Sequence, residues 1–184
     1  MNTTTSPRRI GRIARGIAML VACATVLPGG AWANPSGAQI ITGQVSMVTT
    51  NNQLVVTNSP GAVINWKSFS IGAGELTRFV QQNPNSSVLN RITGQDPSQI
   101  LGALQSNGRV FLINPNGIVF GAGARVDVNG LVASSLKLSD TDFAAGRLNF
   151  TGGGSSGVVQ NQGAITTPSG GQVYLIAPNV TNNG

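Results

Sequence analysis

Gly108 to Asn116 reads Gly-Arg-Val-Phe-Leu-Ile-Asn-Pro-Asn, and Gly171 to Asn179 reads Gly-Gln-Val-Tyr-Leu-Ile-Ala-Pro-Asn, the same phrase 63 positions later. A shorter echo joins Val159–Gly163 (Val-Gln-Asn-Gln-Gly) to Val180–Gly184 (Val-Thr-Asn-Asn-Gly) at an interval of 21, one third of the first. A coil of about 21 residues, holding two or three short strands and tight turns, is the repeat of a parallel β-helix. In such a coil Val, Ile and Leu point inward and stack on like residues one coil away. Asn and Gly take the corners, where Asn amides can ladder along the axis and Gly supplies positive φ. A β-sandwich of meandering hairpins accounts for the strand spacing but not for the two registers.

Outward from these phrases, short runs rich in Val, Ile, Leu, Thr and Phe alternate with Gly, Asn, Ser and Pro. Strands are predicted at Gln39–Val48, Gln53–Thr57, Val63–Ile71, Leu76–Gln81, Arg109–Ile113, Ile118–Phe120, Val126–Val128, Leu131–Leu136 and Gln172–Ile176. Two places invite a helical turn. Pro97–Leu104 has Asp96 as N-cap and proline in the first turn, and Asp140–Ala145 lies between Ser139 and Gly146.

Composition narrows the chemistry. The chain has 184 residues, 9% of them charged against about 25% in ordinary globular domains, and Gly 25 and Asn 18 take up much of the difference. There is no His, one Cys, and only five carboxylates: Glu75, Asp96, Asp127, Asp140 and Asp142. A His-based triad is excluded, and no metal or cofactor site is expected.

The formal charge of +6 is unevenly placed. Arg8, Arg9, Arg12 and Arg15 precede an apolar stretch from Ile17 to Leu27, then Pro28-Gly29-Gly30 and Ala31-Trp32-Ala33. This is the charged region, apolar run and A-x-A cleavage site of a secretory leader, read by the Sec machinery, with cleavage between Ala33 and Asn34. The apolar run is too short to span a bilayer. Residues 34–184 then carry 7 cations and 5 acids, a net +2, which removes a nucleic-acid partner. Leu20-Val21-Ala22-Cys23 also fits a lipoprotein box, but cutting there strands apolar residues outside the leader. Cleavage after Ala33 leaves a mature chain with no cysteine and hence no disulfide.

The motifs are corners. Asn114-Pro115-Asn116-Gly117-Ile118 directly follows a strand, and its Pro, Asn and Gly suit the successive positions of a tight turn. Asn83-Pro84-Asn85 repeats the first three residues. From physics alone both are structural corners.

The stretches Arg78–Gln81, Val88–Gly94 (Val-Leu-Asn-Arg-Ile-Thr-Gly), Asp96–Ile100, Asn107–Ile113 and Val119–Ser135 complete a pattern with them. Together they resemble the N-terminal secretion domain of filamentous-haemagglutinin-type exoproteins, exported by two-partner secretion in Gram-negative bacteria. The resemblance is nearest to the branch of high-molecular-weight adhesins and haem–haemopexin utilisation proteins. It covers nearly all of residues 34–184 and is densest from Phe79 to Ser135. One departure is that Ser86 follows Asn83-Pro84-Asn85 where the family often has Leu.

The resemblance implies an all-β, right-handed parallel β-helix with an N-terminal cap and short extra-helical strands. It also implies a partner, an outer-membrane β-barrel transporter of the TpsB type with periplasmic POTRA domains, and a destination at the cell surface or beyond. Asn114, Pro115, Asn116, Gly117 and Ile118 become the leading positions for recognition or folding. Asn83, Pro84 and Asn85 come second, then Asn90 and Arg91, for which a structural pairing of Arg91 with Asp96 is the plain alternative.

Two other classes compete on the residues. A carbohydrate-active β-helix enzyme would use the close acidic pair Asp140 and Asp142, or Asp127 on its strand; helix-capping and surface roles explain these better, and no catalytic activity is expected. Direct ligand binding would need Trp66 and Tyr174 as an exposed platform, although both are equally suited to packing. The terminal phrase at Gly184 carries no obvious cap, so these residues are expected to begin a longer β-helical protein.

Overall fold

The computed structural model describes residues 1–2, 34–152, 154 and 156–184, and its elements from residue 39 onward are almost all strand. The leader, with Cys23, Ala31 and Ala33, lies outside the described residues. The chain winds as stacked rungs. An opening pair, β1 (Gln39–Thr42) and β2 (Val45–Thr50), precedes β3 (Gln53–Asn58) and β4 (Ala62–Trp66) of the first rung. The second rung is β5 (Leu76–Val80), β6 (Ser87–Ile92) and β7 (Ser98–Ile100), and the third is β8 (Ala103–Ile113) and β9 (Ile118–Phe120). The fourth begins with β10 (Arg125–Ser134) and detours through β11 (Lys137–Leu138), a one-turn helix α1 (Asp140–Ala144) and β12 (Phe150–Thr151). It closes with β13 (Val159–Asn161). The fifth is β14 (Ala164–Thr166), β15 (Val173–Ile176) and β16 (Val180–Asn182).

Parallel pairing stacks these rungs into three faces. The first face runs β3, β5, the first half of β8, the first half of β10, then β14. The second runs β4, β6, the second half of β8, the second half of β10, then β15. The third runs β7, β9, β13 and β16. This is the β-helix expected from the repeat. Its N-terminal end is closed by antiparallel pairing of β1 on β4 and β2 on β3. The predicted single strand Gln39–Val48 breaks at Gly43, whose φ of +87 turns the chain from one face to the next.

The period-2 pattern explains the bore. Leu54, Thr77, Leu104 and Val126 line up in register on the first face, Ala62, Val88, Val110 and Leu131 on the second, and Ile118 and Val159 on the third, all buried. The 21-residue echo is a direct rung-to-rung contact, Val159 beside Val180. The interval of 63 spans two rungs rather than three. Leu131 lies 21 residues beyond Val110, and Val173 a further 42, because the detour is spliced between them.

One expected helix is absent. Ser98–Ile100 is β7, and Ala103 already belongs to β8. Ser98 and Ile100 are buried and Gln99 exposed, an alternation that ladder pairing with β9 rewards. One isolated helical turn has too few bonds to repay its nucleation, so pairing wins. The second expected helix forms, with Ser139 as N-cap accepting from the Asp142 amide at 3.0 Å.

Candidate functional site

The Asn114–Ile118 corner is sealed between rungs. The Gly117 amide donates to the Asn114 carbonyl at 2.9 Å, closing the turn, and Gly117 takes φ +110. The Asn114 side chain is 0% exposed. Its Oδ1 accepts from the Asn116 amide at 3.0 Å, while its Nδ2 donates to the Asp96 carbonyl and the Ser98 hydroxyl, each at 3.0 Å. Asn116 is exposed, yet its Nδ2 donates to the Gly94 carbonyl at 2.9 Å. The turn is thus bolted to the rung before it. On the other side the Ile118 amide donates to the Val158 carbonyl at 2.9 Å, and Gly157 lies so close that a Cβ there would collide with the backbone of Pro115, Asn116 and Gly117.

Asn83-Pro84-Asn85 has the same local turn and a different setting. The Ser86 amide donates to the Asn83 carbonyl at 3.0 Å, and the Asn83 Oδ1 accepts from the Asn85 amide at 2.9 Å. All three residues are exposed, at the corner between the first and second faces rather than between the second and third. One corner faces inward to the stack and the other outward to solvent.

Asn90 and Arg91 point to opposite sides of β6. Asn90 is 0% exposed and lies in the bore, where its Oδ1 accepts from the Trp66 indole at 2.9 Å and its Nδ2 donates to the Phe111 carbonyl at 3.2 Å. Arg91 points outward. Its partner is Asp140 of the detour, not Asp96, and the same guanidinium donates to the Leu138 carbonyl at 3.1 Å and to Asn65 Oδ1 at 3.4 Å. The pairing with Asp96 fails because Asp96 sits in the next corner, while β11 brings Asp140 back over β6. At the other end of the domain, Asn34 Oδ1 accepts from the buried Thr77 hydroxyl at 3.0 Å, so the first residue after the expected cleavage is fastened to the second rung.

Asp140 and Asp142 are each engaged by a basic side chain. Asp140 is held by Arg91, and Asp142 accepts from the Ser139 hydroxyl at 2.7 Å, Arg147 at 2.8 Å and Asn149 at 3.3 Å. Hydrogen bonds from Ser139 and Arg147 hold the Asp142 carboxyl below its ordinary value of 3.8. Asp127 is on the first face, apart from both. Among the described residues no three His, Cys, Asp or Glu side chains gather as metal ligands. Trp66 is no platform: it is buried in the bore with its ring edge-on to Phe69 at 5.6 Å. Tyr174 is 39% exposed.

A second core escaped the sequence reading. Val63, Leu89, Phe111 and Val132 stack in one outward row on the second face, with Ile113 beside them. Leu138 and Phe143 of the detour, with Phe150, cover this row and bury it. The signal was present in the unbroken apolar runs Val110–Ile113 and Leu131–Ala133, which are apolar on both sides of the strand, unlike an alternating half-buried strand. The cavity beside this cover, 580 Å³, brings together Arg91 and Pro115 from two of the motifs with Lys137 and Asp140.

The sequence model of a family described as "TPS secretion domain" matches residues 31–184. Two relatives from Haemophilus influenzae, both described as "Heme/hemopexin-binding protein", are 38% identical over 105 residues and 36% identical over 107. The aligned parts cover 56% and 58% of this chain, and 12% of each relative. The crystal structure of the HMW1 secretion domain from Haemophilus influenzae superposes with a TM-score of 0.75 at 37% identity, over 80% of this chain and 42% of that one.

Proposed function

The chain belongs to the TPS secretion domain family, and from that premise we propose that residues 34–184 are the segment by which an exoprotein is taken up by its own outer-membrane β-barrel transporter. In this reading residues 1–33 are a Sec-type leader. The POTRA domains of a TpsB-type transporter read the chain in the periplasm, and the β-helix nucleates at the cell surface.

The observation that carries the reading is where the motif residues lie. Asn114, Gly117 and Ile118 are buried between rungs, as is Asn90 inside the bore. A partner can read such side chains only before the coils close. In this reading the buried positions are recognised in the unfolded chain and folding withdraws them from the partner, while Asn116 and Asn83–Asn85 stay at the surface. The mature chain suits that order: it has no cysteine to crosslink it, few charges to carry through a narrow barrel, and rungs whose pairing is mostly with the next rung. Each rung that closes outside buries apolar surface and opposes backsliding. The relatives are some eight times longer than the matched stretch. In a protein of that length the fifth rung is the template on which further coils stack.

The test is to express residues 1–184 with and without a TpsB-type transporter from the same genome and to assay medium, periplasm and membranes, sequencing the N-terminus of the product. Transporter-dependent release of a chain beginning at Asn34 is the expected result. Release without the transporter, or retention through a lipid on Cys23, would overturn it.

A further inference from the structure

The detour covers the second face incompletely. Leu138 and Phe143 pack over Leu89, Phe111, Ile113 and Val132, but where the segment leaves α1 through Gly146, Arg147 and Leu148 a gap of 120 Å³ remains against the sheet. Phe111, Val132 and Phe143, all buried, line its depth. Leu148 and Tyr174, both exposed, line it with them, Tyr174 standing beside Val132 in the ladder.

The other lining residues belong to one register row. Ser87, Arg109 and Gly130 follow one another across three rungs at the start of the second face. A Cβ at Gly130 would stand 2.9 Å from Cγ of Arg109, so the missing side chain is what lets the arginine stem lie against the next rung. One terminal nitrogen of Arg109 donates to the Asn85 carbonyl at 2.8 Å. Arg109 has no carboxylate partner among the described residues, whose ion pairs are Arg91–Asp140 and Arg147–Asp142. Arg147 also lines the gap, but it gives Nε to Asp142 at 2.8 Å, a pair that is neutral as a unit. The uncompensated positive charge at the gap is therefore that of Arg109.

We propose that this gap is a binding site for a small aromatic carboxylate. The inference stands apart from the secretion reading and does not depend on it. An apolar cavity of about 150 Å³ holds a benzene ring, and this gap, open at one side, admits one ring between the sheet and Phe143. Phe111 and Phe143 already meet edge to face at 5.1 Å, an arrangement that a third ring extends. The carboxylate then lies at the open side, where a guanidinium receives it through parallel N–H bonds. A neutral ring would leave the charge of Arg109 unanswered. A sugar would press hydroxyls on Phe111, Val132 and Phe143, which offer them no hydrogen bond.

The test is an NMR titration of the amide signals of the protein purified after expression of residues 1–184, with phenylacetate, phenylacetamide and acetate as probes. Phenylacetate should move the signals of Phe111, Gly130, Val132, Phe143 and Tyr174 along one saturable curve. It should bind roughly tenfold or more tightly than phenylacetamide or acetate. Arg109→Gln should remove that preference and leave the weak binding of phenylacetamide unchanged, while Arg109→Lys should keep part of it. Thermal melts accompany the titrations, because Arg109 also holds the Asn85 carbonyl. If Arg109→Gln lowers the midpoint, Gln172→Glu is the comparison: it adds a carboxylate at an exposed position lining the same gap and should cause the same loss. Equal affinity of the native protein for phenylacetate and phenylacetamide would overturn the proposal, as would shifts that do not saturate or that centre on another face.

Discussion

Trp66 and Asn90 meet inside the bore, one rung apart, with the indole N–H donating to the amide oxygen at 2.9 Å. The amide nitrogen passes the connection on to the Phe111 carbonyl at 3.2 Å, so one side chain links three rungs and adds a polar bond inside the bore to the backbone ladders that already join them. The isosteric change Asn90→Leu leaves the buried indole donor and the carbonyl without that partner. Each orphaned buried group costs about 1–3 kcal/mol. With two groups orphaned, urea unfolding of residues 34–184 should show a loss of about 2 kcal/mol or more. Trp66→Phe added to Asn90→Leu should recover part of it, since the donor is then gone. A strictly additive pair would show that the hydrogen bond is not what Asn90 contributes.

The two Asn-Pro-Asn corners should separate stability from recognition. Asn114→Ala removes an Oδ1 that accepts from the Asn116 amide and an Nδ2 that ties the turn to Asp96 and Ser98. It is expected to destabilise the folded domain by about 2 kcal/mol or more and to lower export with it. Asn83→Ala removes an exposed turn acceptor and should cost under about 1 kcal/mol. If Asn83→Ala nonetheless abolishes binding of the unfolded chain to the purified POTRA domains, that corner is a contact site. Thermal melts beside POTRA binding decide between the two roles.

Asn116→Ile is the intermediate case. Asn116 is exposed but donates to the Gly94 carbonyl at 2.9 Å, so the change unfastens one bolt and leaves an apolar side chain in solvent. Export should fall, and the thermal midpoint of the purified domain should fall with it. Unchanged stability with lost POTRA affinity would move Asn116 from the folding role to direct contact.

The β-helix was legible because the bore imposes like-on-like stacking, and like residues at a fixed interval survive in the sequence, as Val159 and Val180 do. The Asp140–Ala144 turn was legible because a cap is a local bond between near neighbours. What the sequence hid is non-local. Ser98–Ile100 is a strand because β9 is beside it, and nothing within those residues announces that partner. Arg91 finds Asp140, 49 residues on, because a detour folds backward, a path no interval encodes. The corner of Asn114 was readable as a corner, but its sealing by Gly157 depends on a rung that forms only after the detour.

Asp142 should make the one-turn helix α1 acid-sensitive. Its carboxyl, held below 3.8 by hydrogen bonds from Ser139 and Arg147, is more readily ionised when folded than when unfolded. A carboxylate whose folded pKa is depressed contributes stability above its unfolded value, and that contribution is lost as pH falls through the lower folded value. Amide exchange in Asp140–Ala144 should therefore be flat from neutral pH down to about 4, once corrected for intrinsic rates, and rise below it. Asp142→Asn should remove that acid step while leaving the protection of β8 unchanged. A step that persists in Asp142→Asn would assign it to another carboxylate.

Gly157 offers the sharpest steric test of how the fourth rung seals the motif. A Cβ at this position would collide with the carbonyl oxygen of Pro115, the carbonyl carbon of Asn116 and the amide nitrogen of Gly117, all backbone atoms that cannot rotate away. Gly157→Ala must therefore push β13 off the turn, weakening the bond from the Ile118 amide to the Val158 carbonyl. Overpacking of this kind costs about 1–3 kcal/mol. Gly152→Ala, in the same detour, meets nothing within 4 Å and serves as the control for the lost backbone entropy of glycine. Chemical denaturation should place Gly157→Ala clearly below the native sequence and Gly152→Ala at or slightly above it. Equal stabilities for the two variants would mean that the fourth rung is not seated on the Asn114–Ile118 turn, and that the motif is open on that side in solution.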